Sequence, residues 1–139
     1  MYLLDSDICI RLMRNRSPSL SRQLNPLGGR LFTSVIVRHE LMNGALLSSQ
    51  PVEQAAEVED LLARLELLDF DAAAADHAAD IKADLRRRGR MIGANDILIA
   101  GHARSLGLIV VTGNLREFER VDGLRCEDWP AGPPGPYLT

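Results

Sequence analysis

The side chains best suited to chemistry in this sequence are oxygen-bearing and widely spaced: Asp5, Ser6, Asp7, Glu40, Asp96, Thr112 and Asn114. Asp5 ends a short apolar run, Tyr2-Leu3-Leu4, and Asp7 follows two positions on. Glu40 interrupts apolar sequence formed by Ile36, Val37 and Leu41, and Asp96 precedes Ile97-Leu98-Ile99-Ala100. Burying a lone carboxylate is costly, so such groups persist when they are paired or bound to a metal. Clustered carboxylates raise one another's pKa unless a cation neutralises them. An all-oxygen donor set suits a hard divalent ion, Mg²⁺ with Mn²⁺ as a substitute. Such an ion acidifies water and stabilises charge on a phosphoryl oxygen. The plainer alternative is that Asp5, Asp96 and Asn114 cap helices. Glu40 escapes that alternative because it falls inside its helix. Asp7 fits a solvent-facing acid in a first helical turn equally well.

Other candidates carry less. His39, His77 and His102 are scattered without metal-ligand spacing and read as structural or exposed. Gly28-Gly29 is a turn signal, with no Gly-Lys-Ser/Thr after it to form a phosphate loop. Arg86, Arg87, Arg88 and Arg90 are candidate RNA-binding residues that could guide a phosphate backbone. They equally suit a solvated helix end, where cations meet the negative end of the dipole.

Positioning these groups requires alternating strands and helices. Strands are expected at Tyr2–Leu4, Leu31–Thr33, Leu67–Phe70, Leu108–Thr112 and Leu124–Glu127, from apolar and β-branched runs. A helix follows the first strand and breaks near Ser17-Pro18, and Pro26–Gly29 turns the chain into the second strand. Ser34 should cap a helix through about Leu47. From Val52, the residues Val58, Leu61, Leu62 and Leu65 form one helical stripe with Glu57 and Asp60 facing away. An alanine-rich helix spans Asp71 to Arg88 and stops at Gly89. Another runs from about Asn95 to Leu106 and stops at Gly107. The pattern predicts an α/β fold: one domain with a mostly parallel central sheet and helices on both faces. Ligands of such sheets bind beyond the carboxyl ends of the strands, where Asp5 and Thr112 fall.

The chain has 139 residues, enough for one compact domain that folds without disulfides or structural metal. The domain is expected to span residues 1–129, and the Pro/Gly-rich stretch 130–139 is expected to be a disordered tail. Cys9 and Cys126 show no disulfide or zinc spacing and suit small core residues in a reducing compartment. No secretory signal or membrane-length apolar run is visible, which favours a cytoplasmic protein. The net charge is -3, against non-specific nucleic-acid binding by the whole surface. Its basic residues are nearly all arginine, the better phosphate partner, with Lys82 the only lysine.

At these residues the sequence resembles the PIN-domain ribonucleases, specifically the VapC-type toxins of bacterial type II toxin–antitoxin pairs. Tyr2-Leu3-Leu4-Asp5-Ser6-Asp7-Ile8-Cys9-Ile10 looks like their first acidic motif. Ser34-Val35-Ile36-Val37-Arg38-His39-Glu40-Leu41 resembles the second, and Gly93-Ala94-Asn95-Asp96 continuing to Ala103 the third. Val111-Thr112-Gly113-Asn114-Leu115-Arg116-Glu117-Phe118, continuing to Trp129, is similar to the C-terminal signature. The resemblance implies Mg²⁺-dependent cleavage of an RNA phosphodiester, with metal held by Asp5, Asp96 and Glu40 and Asn114 completing the catalytic set. Asp7, Ser6 and Thr112 would be auxiliary. It also implies a homodimer, a VapB-type antitoxin partner, a higher hetero-oligomer with that antitoxin, and operator DNA reached only through it. Two positions depart from the usual pattern: Asp7 stands where Asn is commoner, and Asn114 occupies the fourth acidic position. The number of metal ions and the RNA target stay open.

Two rival readings remain. Asp5-Ser6-Asp7 after an apolar strand also resembles the start of haloacid-dehalogenase-like phosphatases. Those enzymes need a catalytic lysine and a downstream acidic pair, and no adjacent acidic pair follows Lys82 near a strand end. A protein that only binds its antitoxin, without cleaving RNA, is the non-enzymatic alternative.

Overall fold

The computed structural model describes residues 1–14 and 30–129. The expected break near Ser17-Pro18, the turn at Pro26–Gly29 and the expected tail at 130–139 lie outside those residues. Five strands form one sheet: β1 (Tyr2–Leu4), β2 (Leu31–Ser34), β3 (Glu66–Leu68), β4 (Ile109–Val111) and β5 (Cys126–Glu127). Their order is β3-β2-β1-β4-β5, and every pairing is parallel. Parallel neighbours need crossovers, and helices supply them: α1 (Ser6–Arg14), α2 (Val35–Leu46), α3 (Pro51–Leu62), α4 (Ala72–Arg87), α5 (Ala94–Leu106) and the short α6 (Leu115–Phe118). The helices cover both faces, so Leu3, Leu4, Val110 and Val111 at the sheet centre are fully buried.

From β1 the chain moves outward to β2 and β3, then crosses back to add β4 and β5 on the other side. That reversal makes the carboxyl ends of β1 and β4 a topological switch point, where adjacent crossovers leave to opposite sides and open a crevice. The register aligns Leu4 with Val111, so Asp5 and Thr112 emerge side by side.

Local signals account for most of the boundaries. The Ser34 hydroxyl accepts from the Ile36 N–H at 3.0 Å and starts α2. The Asp71 carboxylate accepts from the Ala74 N–H at 2.9 Å and starts α4. Gly107, at φ 66, closes α5 in the left-handed conformation that favours glycine. Two expectations shift. The third strand ends at Leu68 because its partner Ser34 ends β2, which frees Phe70 to pack edge-on against His102 with ring centroids 5.3 Å apart. Glu57, expected to face away, is half-buried and lines a cavity between α1, α2 and α3. Trp129 is buried edge-on against Tyr2, fixing the far end of the described chain on the central strand. Among the described residues, no helix is long and apolar enough to cross a membrane.

Candidate active site

Asp5 stands at the centre of the crevice. Its N–H donates to the Val111 carbonyl at 2.9 Å, continuing the β1–β4 ladder one residue past the strand. The side chain is buried, and both its oxygens accept: Oδ1 from the Ser6 N–H and Oδ2 from the Thr112 hydroxyl, each at 2.8 Å. Burial outweighs those bonds and pushes its pKa up to about 6, with the charges of Asp7 and Glu40 adding to the effect. The Thr112 hydroxyl accepts in turn from the Asn114 N–H at 3.0 Å.

Asp96 enters from the first turn of α5. Burial first, then the charges of Asp5 and Glu117, push its pKa up to about 7. It also shares a hydrogen bond with Glu117, and Glu40 adds a further like charge. Asn114 sits at the N-cap position of α6 without capping it. Its amide turns instead to Asp96 Oδ2, with the nitrogen 3.4 Å away. The geometry thus separates Asn114 from the helix-capping alternative.

Glu40 projects from the middle of α2, its pKa raised by burial and opposed by a hydrogen bond from Asn95. Its Oε1 is buried with no partner. Asp7 does not face solvent as a simple first-turn acid would. Oδ2 accepts from the Gly113 N–H at 2.8 Å, and Oδ1 is buried and unpartnered. A side chain at position 113 would displace both the Asp7 carboxylate and the Arg11 guanidinium, which meet the backbone there.

Asp5, Asp7, Glu40 and Asp96 therefore act electrostatically on one another at one sheet edge, with Ser6, Thr112 and Asn114 among them. Residue spacing alone missed two participants. Glu117, one turn beyond Asn114, supplies another acid, and Asn95 holds Glu40. The signal for Glu117 is an acid three residues after a polar strand-end residue, which equally suits an ordinary first-turn acid. The arginine run lies at the end of α4, with Arg86, Arg87 and Arg90 exposed. Arg88 is held by Asp84 at 2.7 Å and by the Arg120 carbonyl at 2.6 Å. His77 is bonded by Arg104, and His102 is buried.

The donor set tests well against a hard divalent cation. Raised carboxylates and two orphaned buried oxygens, Asp7 Oδ1 and Glu40 Oε1, are what a cation would relieve. Among the described residues, no three His, Cys, Asp or Glu side chains stand close enough to enclose an ion by themselves. Mg²⁺ does not need such a cage, since it keeps several waters and takes one or two carboxylates directly. Beside the acids opens a cavity of about 480 Å³, lined by Ser6, Glu40, Arg14 and Glu57 as well as the apolar Ile10 and Val58.

Comparison with known proteins agrees with this architecture. A family model described as PIN domain matches residues 2–124. The tRNA(fMet)-specific endonuclease VapC of Shigella flexneri is 47% identical over 128 residues, covering 92% of this chain and 97% of that protein. Ribonuclease VapC2 of Haemophilus influenzae (strain ATCC 51907 / DSM 11121 / KW20 / Rd) is 45% identical with the same coverage. Among solved structures, DNA-bound VapBC from Salmonella typhimurium superimposes with a TM-score of 0.86 at 44% identity, covering 92% of this chain and 97% of that one. VapBC2 from Rickettsia felis, bound to a DNA fragment from its promoter, gives 0.84 at 32% identity, covering 92% and 98%.

Proposed function

The chain belongs to the PIN-domain family, within its VapC branch, and on that premise we propose that it is a metal-dependent endoribonuclease restrained by a VapB-type antitoxin. The observation that carries the reading is the set of acids at the switch point, Asp5 buried and Asp7, Glu40 and Asp96 half-buried, with two buried oxygens that lack a hydrogen-bond partner. Asp5, Asp96 and Glu40 would hold Mg²⁺, or Mn²⁺ in its place, one or two of them directly and the rest through water. Bound there, the ion supplies positive charge beside the scissile phosphate and makes water a stronger acid.

The remaining residues hold these acids in place. The Ser6 N–H and the Thr112 hydroxyl fix the Asp5 carboxylate in one orientation. Asn95 restrains Glu40, and the Asn114 amide restrains Asp96. Asp7 keeps a carboxylate oxygen at the edge of the cluster while its other oxygen ties α1 to Gly113. Substrate would be an RNA phosphodiester, and the name of the Shigella relative makes initiator tRNA the first substrate to try.

The antitoxin is supported by solved neighbours that are VapBC complexes. The cavity beside Glu40, lined by apolar side chains together with Arg14, Gln54 and Glu57, suits an amphipathic partner segment, and an arginine beyond it could replace the cation by charge. Operator DNA would be reached through that partner, since this chain is net acidic. The working unit would be a cytoplasmic homodimer that joins a larger hetero-oligomer with the antitoxin. Purified protein is expected to cleave RNA with Mg²⁺ or Mn²⁺ and to stop in EDTA. Cleavage that persists undiminished in excess chelator overturns the metal reading. Toxicity on induced expression that co-expression of the small neighbouring reading frame leaves unchanged overturns the antitoxin reading.

A further inference from the structure

We propose that His102 and Ser34 form a buried positioning pair that sets the separation of the Glu40 helix from the Asp96 helix, and so tunes how tightly the acids hold a divalent cation. The inference rests on the metal reading above. His102 is 1% exposed and Ser34 0%, and His102 Nδ1 stands 2.8 Å from Ser34 Oγ. Ser34 lies six residues before Glu40, at the start of α2, and His102 six residues after Asp96, on α5.

The hydrogen-bond directions follow from the partners. Ser34 Oγ already accepts from the Ile36 N–H, so its own proton is free to go to Nδ1. The ring also bonds the backbone of Asp69, with burial holding its pKa below the usual histidine value. A neutral ring that accepts at Nδ1 carries its proton on Nε2. Phe70 closes over the ring edge-on. One imidazole therefore joins the cap of α2, the exit of β3 and the middle of α5.

This junction is needed because α5 packs far more broadly on α4 than on α2. Glu40 raises the pKa of Asp96, so the two acids repel when ionised. The Glu40–Asn95 bond joins the same two helices beside the acids, and the His102–Ser34 pair joins them at the cap of α2. A polar tie in a dry environment has strict geometry, and replacing it with apolar contact would let α2 slide. An apolar side chain could fill the space as well, so packing alone does not call for histidine here.

The test measures Mn²⁺ binding by calorimetry without RNA, alongside thermal melting in EDTA. His102→Phe fills the space, keeps the ring against Phe70 and removes the tie. Ser34→Gly removes the hydroxyl while glycine remains an acceptable helix N-cap. Each is expected to weaken Mn²⁺ affinity about tenfold, in the range of changes to groups that orient metal ligands. The double variant should be no weaker than either single, because the two residues act as one unit. Ser34→Thr keeps the hydroxyl, and His102→Asn keeps an acceptor where Nδ1 stands, so both should stay within about threefold of the parent. Variants that melt lower yet bind Mn²⁺ like the parent overturn the proposal and leave a purely structural role. If His102→Phe fails to fold, Ser34→Gly decides the matter by the same criterion. Parent protein that takes up no Mn²⁺ overturns the metal reading itself, a result separate from parent binding with unchanged variants.

Discussion

Asp96 is half-buried among other acids that help raise its pKa to about 7, and its ionised form is the one a cation would need. Asp96→Asn removes a half-buried like charge but leaves an amide of the same shape at the start of α5. The expected outcome is a folded protein that melts close to the parent temperature in chelator, remains bound by the antitoxin, and cleaves no RNA. Glu40→Gln and Asp5→Asn should also abolish cleavage, with double variants no worse than singles. Asp5→Asn should be the least stable of the three, because both its oxygens accept hydrogen bonds and an amide offers only one acceptor. Cleavage by folded Asp96→Asn at the parent rate would remove that residue from the mechanism. Asp7→Asn is expected to be much milder: its amide oxygen can still accept from Gly113, and its nitrogen takes the place of an unpartnered oxygen. Comparative cleavage rates at saturating Mg²⁺ check the contrast. Asp5, Glu40 and Asp96 were legible because each charge breaks an apolar stretch. Glu117 and Asn95 were not, because their roles exist only where α6 meets α5 and where α5 meets α2.

Strands and helices were largely legible for the same reason that they fold: apolar runs, a serine or aspartate cap, and a stopping glycine act locally. The shifts are those that tertiary structure imposes, as when β3 ends with its partner and releases Phe70 towards His102. The closeness of α4 to α5 had no such local mark. A Cβ on Gly101 would lie 2.5 Å from the backbone nitrogen of Ala78 and 2.7 Å from its Cα. Backbone cannot swing aside as a long side chain can, so Gly101→Ala must push the two helices apart. The expected loss is at least ~1–3 kcal/mol, the usual cost of overpacking a core. It should show as a lower denaturation midpoint in urea, while Gly44→Ala, with open space around its Cβ, should raise or leave the midpoint. An unchanged midpoint for Gly101→Ala would mean that the helices are not held so close.

For the molecule as a whole, buried acids make stability depend on pH in an unusual direction. Folding raises Asp96 from 3.8 to about 7 and Asp5 from 3.8 to about 6, and it raises Glu40 as well. Each stabilises the fold while protonated, and that contribution is lost as pH rises through the folded value. His102 is lowered, so its contribution is present above pH 6.5 and is lost on acidification. The lowered acids Glu59 and Asp80 matter only near their ordinary carboxylate range, and the raised thiols of Cys9 and Cys126 titrate only above theirs. Asp5's share is largely lost by pH 6.5, so between pH 6.5 and 8 the titration of Asp96 dominates. In EDTA the melting temperature is expected to fall across that window, and Mg²⁺ should reduce the fall by taking the place of the lost protons. Differential scanning fluorimetry with and without Mg²⁺ measures both, and a melting temperature that rises with pH in EDTA refutes the account.

The central position of β1 sets a timetable. Among the described strands β1 comes earliest in the chain yet lies in the middle of the sheet, and its second neighbour, β4, begins only at residue 109. Asp5 waits 107 residues for Thr112. At about 5–20 residues per second, that interval is roughly 5–20 s of synthesis. Until then the nascent chain carries half a sheet, with Asp5 on an unpaired edge and Asp96 and Glu117 not yet beside it. On the proposed function, the acids that would act on RNA are therefore brought together only after Thr112 has been made.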